Sequence, residues 1–211
     1  EGENTFPTLL SALYGEKGFS QIPGITWRDG GGTIKENPAA VPFDLSRLPF
    51  AYRDLEKLSH KIVYYESSRG CPYSCTYCLS SVEKGVRFVP AQRACRDLQR
   101  FLEVKFVDRT YNCNREHADT ILQYLLDHDN GRTNFHFEIS ADILADSTIA
   151  LINRAREGLF QFEVGVQSTN LKTIRAIQRA CDNDKLFEKV SRLRASHNAH
   201  VHLDLIAGLP F

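Results

Sequence analysis

The chain has 211 residues, 42% of them apolar and 25% charged, with 26 Lys and Arg against 26 Asp and Glu. That is the size and make-up of one substantial domain, or a domain with an appendage, which excludes a disordered tail or a fibrous repeat; the balanced charge argues against a broad nucleic-acid surface. No apolar run approaches the roughly 20 residues that span a bilayer, and "EGENTFPTLL" lacks the basic and apolar parts of a signal segment, so the expectation is a cytoplasmic protein with reduced cysteines.

The first sixty residues differ in kind from the rest. "TFPTLLSALYG" predicts an amphipathic helix, "GITWRDGGGTIKE" a β-hairpin around a glycine turn, and "NPAAVPFDLSRLPF" a proline-punctuated linker. Residues 1–60 are expected to be the tail of an upstream domain plus a connector. From Lys61 onward strand-like and helix-like runs alternate. The strands are "KIVYYESS", "VKFVDRT", "NFHFEIS", "LFQFEVGVQS" and "HVHLDLIAGLP". Between them lie the helical stretches "PAQRACRDLQRFLE", "REHADTILQYLLDHD", "STIALINRAR", "LKTIRAIQRA" and "DKLFEKVSRLRAS", whose apolar residues recur at three- and four-residue spacing. Such βα alternation is the signature of a parallel sheet or a (β/α) barrel. With five strands counted, the expectation for 61–211 is a partial (β/α)6-type, TIM-like barrel truncated after its fifth strand. The chain contains no Met. The run "RDLQRFLEVKFVD" passes from helix to strand without a turn residue, so residues are expected to be missing near Glu103 and Val104.

The strands also divide by face. Phe135, Phe137 and Ile139 alternate with His136 and Glu138; Phe160, Phe162, Val164 and Val166 alternate with Gln161, Glu163, Gly165 and Gln167; Val201, Leu203 and Leu205 alternate with His200, His202 and Asp204. Period-two alternation puts the two sets on opposite faces. In a helix-covered parallel sheet the apolar set must meet the helices, which leaves the polar set to line a ligand-holding concavity.

Three of the six cysteines, Cys71, Cys75 and Cys78, stand in a C-x3-C-x2-C pattern after the first strand, where barrel enzymes keep their chemistry. A disulfide framework, a zinc knuckle, a dithiol pair and an iron–sulfur cluster are the four readings. A missing signal segment disfavours the first. Structural zinc normally wants a second cysteine pair, and a dithiol of Cys75 and Cys78 leaves Cys71 unexplained. Three thiolates on one loop suit an iron–sulfur cluster.

"CPYSCTYC" resembles the CxxxCxΦC loop of the radical S-adenosylmethionine superfamily, with Tyr77 at the aromatic position, and the resemblance runs over Lys61–Phe211. It points to the branch with a cobalamin-binding domain, similar to magnesium-protoporphyrin IX monomethyl ester oxidative cyclase and oxygen-independent coproporphyrinogen oxidase. The resemblance implies that Cys71, Cys75 and Cys78 hold a [4Fe-4S] cluster that reductively cleaves S-adenosylmethionine to a 5′-deoxyadenosyl radical. It further implies cofactor contacts from Tyr77, Glu138 of "FHFEIS", Gln167 and Ser168 of "GVQS", Arg179 of "IRAIQRA" and Asp204 of "DLIAGLP". Where many members carry Gly-Gly-Glu after the second strand this chain reads "VDRTYNCN", so Asp108 is taken as the contact, with Arg109 and Thr110 as rivals.

The "EGENTFPTLL", "IPGITWRDGG" and "DLSRLPF" stretches resemble the junction to an upstream cobalamin domain. Cobalamin, a small-molecule substrate and an electron donor such as flavodoxin or ferredoxin follow by the same analogy. The expected reaction is a cobalamin-assisted methyl transfer or oxidative cyclisation, and the fragment itself could be inactive. Two rivals stand beside it: a zinc- or cluster-stabilised binding module, and a tRNA methylthiotransferase, which should bring a second cysteine triplet and a basic appendage. Cys95 and Cys181 read as small buried hydrophobes, Cys113 as a residue with a redox or substrate role in reach, and His200 and His202 as cavity residues rather than a metal pair.

Overall fold

The computed structural model describes residues 1–15, 18–58, 60–82, 85–101 and 103–211. They fall into two compact units, Glu1–Arg47 and Leu48–Phe211.

In the first unit, helix α1 (Gly2–Leu13) precedes an antiparallel hairpin of β1 (Thr26–Arg28) and β2 (Ile34–Glu36). The glycine turn forms because Asp29 Oδ1 accepts from the amides of Gly31 and Thr33, with Gly32 at a φ of 84° that suits glycine. Asn37 ties the unit together by donating to the carbonyls of Phe19 and Ile22 and accepting from Trp27 Nε1.

The second unit is built on a sheet of five parallel strands in sequential order: β3 (Val63–Tyr65), then, after two further strands, β6 (Glu103–Phe106), β7 (Asn134–Ile139), β8 (Phe160–Gln167) and β9 (His200–Leu205). Their register turns each strand's alternation into rows. Tyr65, Phe106, Phe137, Phe162 and Val201 form one apolar row; Lys105, His136, Gln161 and His200 form a polar one. The apolar rows are packed into a single core with residues of α2 (Ala91–Leu98), α3 (Arg115–Asp127), α4 (Asp146–Ile152) and α6 (Asn183–Arg194), which therefore cover that face. Phe137 sits at its centre, with Phe106 and Tyr111 rings 4.4 Å away and Phe162 stacked at 5.8 Å. The short helix α5 (Leu171–Ala176) follows β8. Asn114, Asn170 and Asp182 accept from amides at the starts of α3, α5 and α6, the capping that stops each loop where the helix begins.

Three expectations are revised. The first strand of the sheet ends at Tyr65. Residues Ser68–Cys71 instead form β4, paired antiparallel with β5 (Gly85–Phe88), so Cys71 closes a hairpin strand and does not lie in a bare loop. Gly70 makes that possible: its φ is 104°, and a Cβ there would collide with the carbonyl oxygen of Gly85. Second, the helix predicted over 90–103 ends at Leu98 and β6 begins at Glu103, with Leu102 outside the described residues. Third, the apolar parity of β9 is buried only at its start: Val201 packs against the core, while Leu203 and Leu205 are 43% and 69% exposed.

Candidate functional site

Loops at the C-terminal ends of the parallel strands surround a small polar hollow of about 120 Å³, lined by Tyr73, Arg109, Thr110, Glu138, Glu163, Gly165, Gln167, Arg179 and Asp204 among others. The polar parity of β7, β8 and β9 supplies the floor: Glu138 stands opposite Glu163, and Gly165 opposite Asp204. Burial pushes the carboxyl of Glu138 up, helped by the charge of Glu163, while Arg109 pulls it down. Asp204 is also raised, first by burial and then by Glu163. Lys105 Nζ meets Glu163 Oε2 at 3.2 Å from the row below. Three carboxylates and two guanidiniums in one hollow suit a zwitterionic ligand, whose ammonium and carboxylate need opposite partners. The hollow is smaller than the roughly 300 Å³ of an ordinary ligand site, so a nucleoside-sized ligand would extend beyond it over the strand ends.

Two residues at the end of β8 shape this space. Gln167 holds a φ of 67°, the left-handed region that non-glycine residues seldom occupy. Its amide lies where a side chain on Gly165 would have to be. Arg179 donates to the carbonyl of Gly165, while its buried Nε finds no hydrogen-bond partner.

The cysteine hairpin hangs over this edge by contacts to separate elements. Ser67, at the foot of β4, is held by Asp108 after β6. Tyr73 donates to Ser140 Oγ at the end of β7 at 3.1 Å, and the amide of Thr76 donates to the carbonyl of Ile177 beyond α5 at 3.0 Å. Cys71 Sγ lies 3.8 Å from Thr110 Oγ1, which lines the hollow. Cys75 is buried, and Cys78 closes a turn by donating its amide to the Cys75 carbonyl.

Of the residues anticipated from sequence, Glu138, Gln167, Arg179 and Asp204 are brought together in the hollow. Tyr77 is 40% exposed on the cysteine loop, its hydroxyl raised by partial burial and by Cys75. Ser168 does not line the hollow; its hydroxyl accepts from Asn170 at the entry to α5. Asp108 is fully buried beneath the hairpin and also does not line the hollow. His200 and His202 stack edge to face 4.4 Å apart, with Gln161 2.9 Å from His202 Nε2. Cys95 is a core residue with its thiol pushed up to about 11 by burial, Cys181 packs against the core, and Cys113 is partly buried after β6.

Ser140 was expected on the polar parity of its strand, whereas Tyr73 and Asn112 were not anticipated. Asn112 and Ser140 pair reciprocally through amide and backbone, tying the loop after β6 to the end of β7. The only signal for Asn112 was a polar residue past a strand end.

All six cysteines are free. Among the described residues, no three His, Cys, Asp or Glu side chains are gathered into a metal-holding group. The donor chemistry nevertheless fits an iron–sulfur cluster, with three unpaired thiols within eight residues on one hairpin, beside a hollow that contains an unsatisfied guanidinium nitrogen.

Fold and hollow define a parallel α/β protein with a polar site at its strand ends and a three-thiol hairpin above it. No protein-family model matches the chain. It is 27% identical, over 94% of its length, to the anaerobic magnesium-protoporphyrin IX monomethyl ester cyclase of Synechocystis. It is 22% identical, over its whole length, to the cobalamin-dependent radical SAM methyltransferase TokK of Streptomyces tokunonensis. The structure of the radical S-adenosylmethionine methyltransferase TsrM from Kitasatospora setae, with cobalamin and a [4Fe-4S] cluster bound, superposes with a TM-score of 0.78 over 99% of this chain and 45% of its own, at 15% identity. The relatives of this chain thus include an enzyme named as a cobalamin-dependent radical S-adenosylmethionine methyltransferase, the branch its cysteine motif resembles. The chain spans 42% of the cyclase and 34% of TokK.

Proposed function

We propose that this chain is the cofactor-binding part of a radical S-adenosylmethionine enzyme, its sheet forming the first five strands of a (β/α)6-type barrel. The observation that carries the reading is the suspension of Cys71, Cys75 and Cys78 over a hollow lined by Glu138, Gln167, Arg179 and Asp204. The three thiols would hold a [4Fe-4S] cluster. When bound, such a cluster supplies the electron that reductively cleaves S-adenosylmethionine.

The chain's own residues bind and orient. Glu138 and Asp204 offer carboxylates to an ammonium or to ribose hydroxyls, and Arg179 and Arg109 offer guanidiniums to a carboxylate. Gln167, fixed by its backbone, offers an amide from one direction. Tyr73 ties the cysteine loop to Ser140 at the end of β7, and Tyr77 stands beside Cys75 on the same loop. Cobalamin-assisted methyl transfer or oxidative cyclisation of a small molecule is the inferred overall reaction, on the strength of what TokK and the cyclase are named for. The setting is cytoplasmic, with a flavodoxin- or ferredoxin-like electron donor.

Anaerobic reconstitution with iron and sulfide tests this. The expected result is a four-iron absorption and an EPR signal that shifts when S-adenosylmethionine is added. Uptake of tetrahedral zinc with no response to S-adenosylmethionine would replace the reading with a structural binding module.

A further inference from the structure

Asp108 stands in the sequence where a cofactor contact is expected, and its surroundings give it another task. Its side chain is fully buried. Oδ1 accepts from the Ser67 amide at 2.8 Å, and Oδ2 accepts from the Ser67 hydroxyl at 2.5 Å and the Ser68 hydroxyl at 2.9 Å. A carboxylate has about four lone-pair sites, so three donors leave little capacity for a ligand. Its neighbours Arg109 and Thr110 line the hollow and Asp108 does not. The bonds reach back 40 and 41 residues, from the loop after β6 to the foot of β4.

We propose that Asp108 is a positioning residue for the cysteine hairpin: its carboxylate fixes Ser67 and Ser68, and through them the strand that ends in Cys71, against the end of β6. Its role toward a cluster rests on the reading that the three cysteines hold one. The same loop grips the hairpin twice, since Thr110 Oγ1 reaches Cys71 Sγ two residues further on. The carbonyl of Ser67 is taken by the amide of Val89 just beyond β5, so its backbone is fixed from both sides. His117 Nε2 lies 3.4 Å from Ser67 Oγ, and because that hydroxyl gives its one proton to Asp108, the imidazole is the donor in this contact. The constellation of aspartate, serine and histidine is not a hydrolytic triad: the serine sits between the other two, and all three are buried. An apolar side chain at 108 would leave one amide and two hydroxyls buried without partners.

The test compares Asp108→Asn, Asp108→Ala and Ser68→Ala by amide hydrogen exchange of the cluster-free protein and by iron content after anaerobic reconstitution. Asp108→Ala is expected to speed exchange over residues 67–71 by roughly 10- to 100-fold while amides of α3 and α4 keep their protection, and to lower iron retention by a similar factor. Asp108→Asn, which still pairs with all three serine groups once the hydroxyls rotate, should restore both. Ser68→Ala removes one donor and should move both readouts less, in the same direction. Unchanged hairpin exchange in Asp108→Ala, or an equal loss of protection in hairpin and core, overturns the proposal. So does wild-type iron content with only the EPR response to S-adenosylmethionine lost, which would make Asp108 a ligand contact. If Asp108→Ala does not fold, Ser68→Ala decides: no change over 67–71 counts against the clamp. A wild-type protein that takes up no iron defeats the proposed function, and the exchange measurement still decides the positioning role.

Discussion

Arg179 donates from Nη2 to the main-chain oxygen of Gly165 at 2.5 Å, across 14 residues of sequence. The guanidinium is thereby held by a strand backbone, and Gly165 must stay without a side chain to leave the Gln167 amide in place.

The first prediction concerns Gly165→Ala. The new methyl displaces the Gln167 amide, so S-adenosylmethionine binding to the reconstituted protein should weaken by about tenfold, about 1.4 kcal/mol. Equilibrium dialysis under anaerobic conditions measures it; undiminished binding would mean that Gln167 does not contact the ligand.

The cysteines should separate into two groups. Cys71→Ala, Cys75→Ala and Cys78→Ala should each abolish cluster assembly, read as iron and sulfide per chain. Cys95→Ala, in the core between α2 and the sheet, should retain the cluster while losing about 1 kcal/mol of stability. Full loading of any one of the first three removes that residue from the ligand set.

Asp108 makes stability depend on pH. Burial pushes its carboxyl up to about 6, against the pull of its serine donors, from an unfolded value near 3.8. With the folded value the higher one, the native state binds more protons between pH 4 and 6, so this group's contribution falls as pH rises through that window, by roughly 3 kcal/mol in all. Urea unfolding from pH 4 to 7 should show wild type losing stability relative to Asp108→Asn. A pH-independent difference would mean that Asp108 titrates as an ordinary carboxylate.

Phe137 tests the core. It is fully buried among Phe106, Tyr111, Phe160 and Phe162. Phe137→Ala should cost about 3–5 kcal/mol by urea denaturation; a loss under 1 kcal/mol would mean that the ring cluster collapses into the space.

Much of this architecture was legible because alternation is a local property. The two faces of β7 and β8 could be read from Phe135 to Val166, since each residue's parity is fixed by its neighbour and parallel register carries it across the sheet. That parity also placed Glu138, Gln167 and Asp204 in one hollow. The β4–β5 hairpin was not legible: "KIVYYESSRGC" reads as one strand, and nothing in "GVRF" announces a partner strand upstream that depends on the backbone of Gly70. The serine partners of Asp108 were hidden for a related reason. A carboxylate past a strand end looks like a ligand contact, and only three-dimensional packing reveals that two serines 40 residues upstream use it. The segment from Leu48 groups with the sheet unit because Phe50, Tyr52, Leu55 and Leu58 pack on its core, a contact that proline-rich composition conceals.

The suspension of the cysteine hairpin from three distant elements also sets an order of events during folding. The β4–β5 ladder is local and can close within about 1–10 μs. Its seats at Asp108, Ser140 and Ile177 exist only after β6 and β7 have paired and the chain beyond β8 has turned back, and such non-local parallel pairing is slow. The three thiols thus reach their places late, so a metal bound by them would be taken up by an already folded sheet rather than drive the chain to fold.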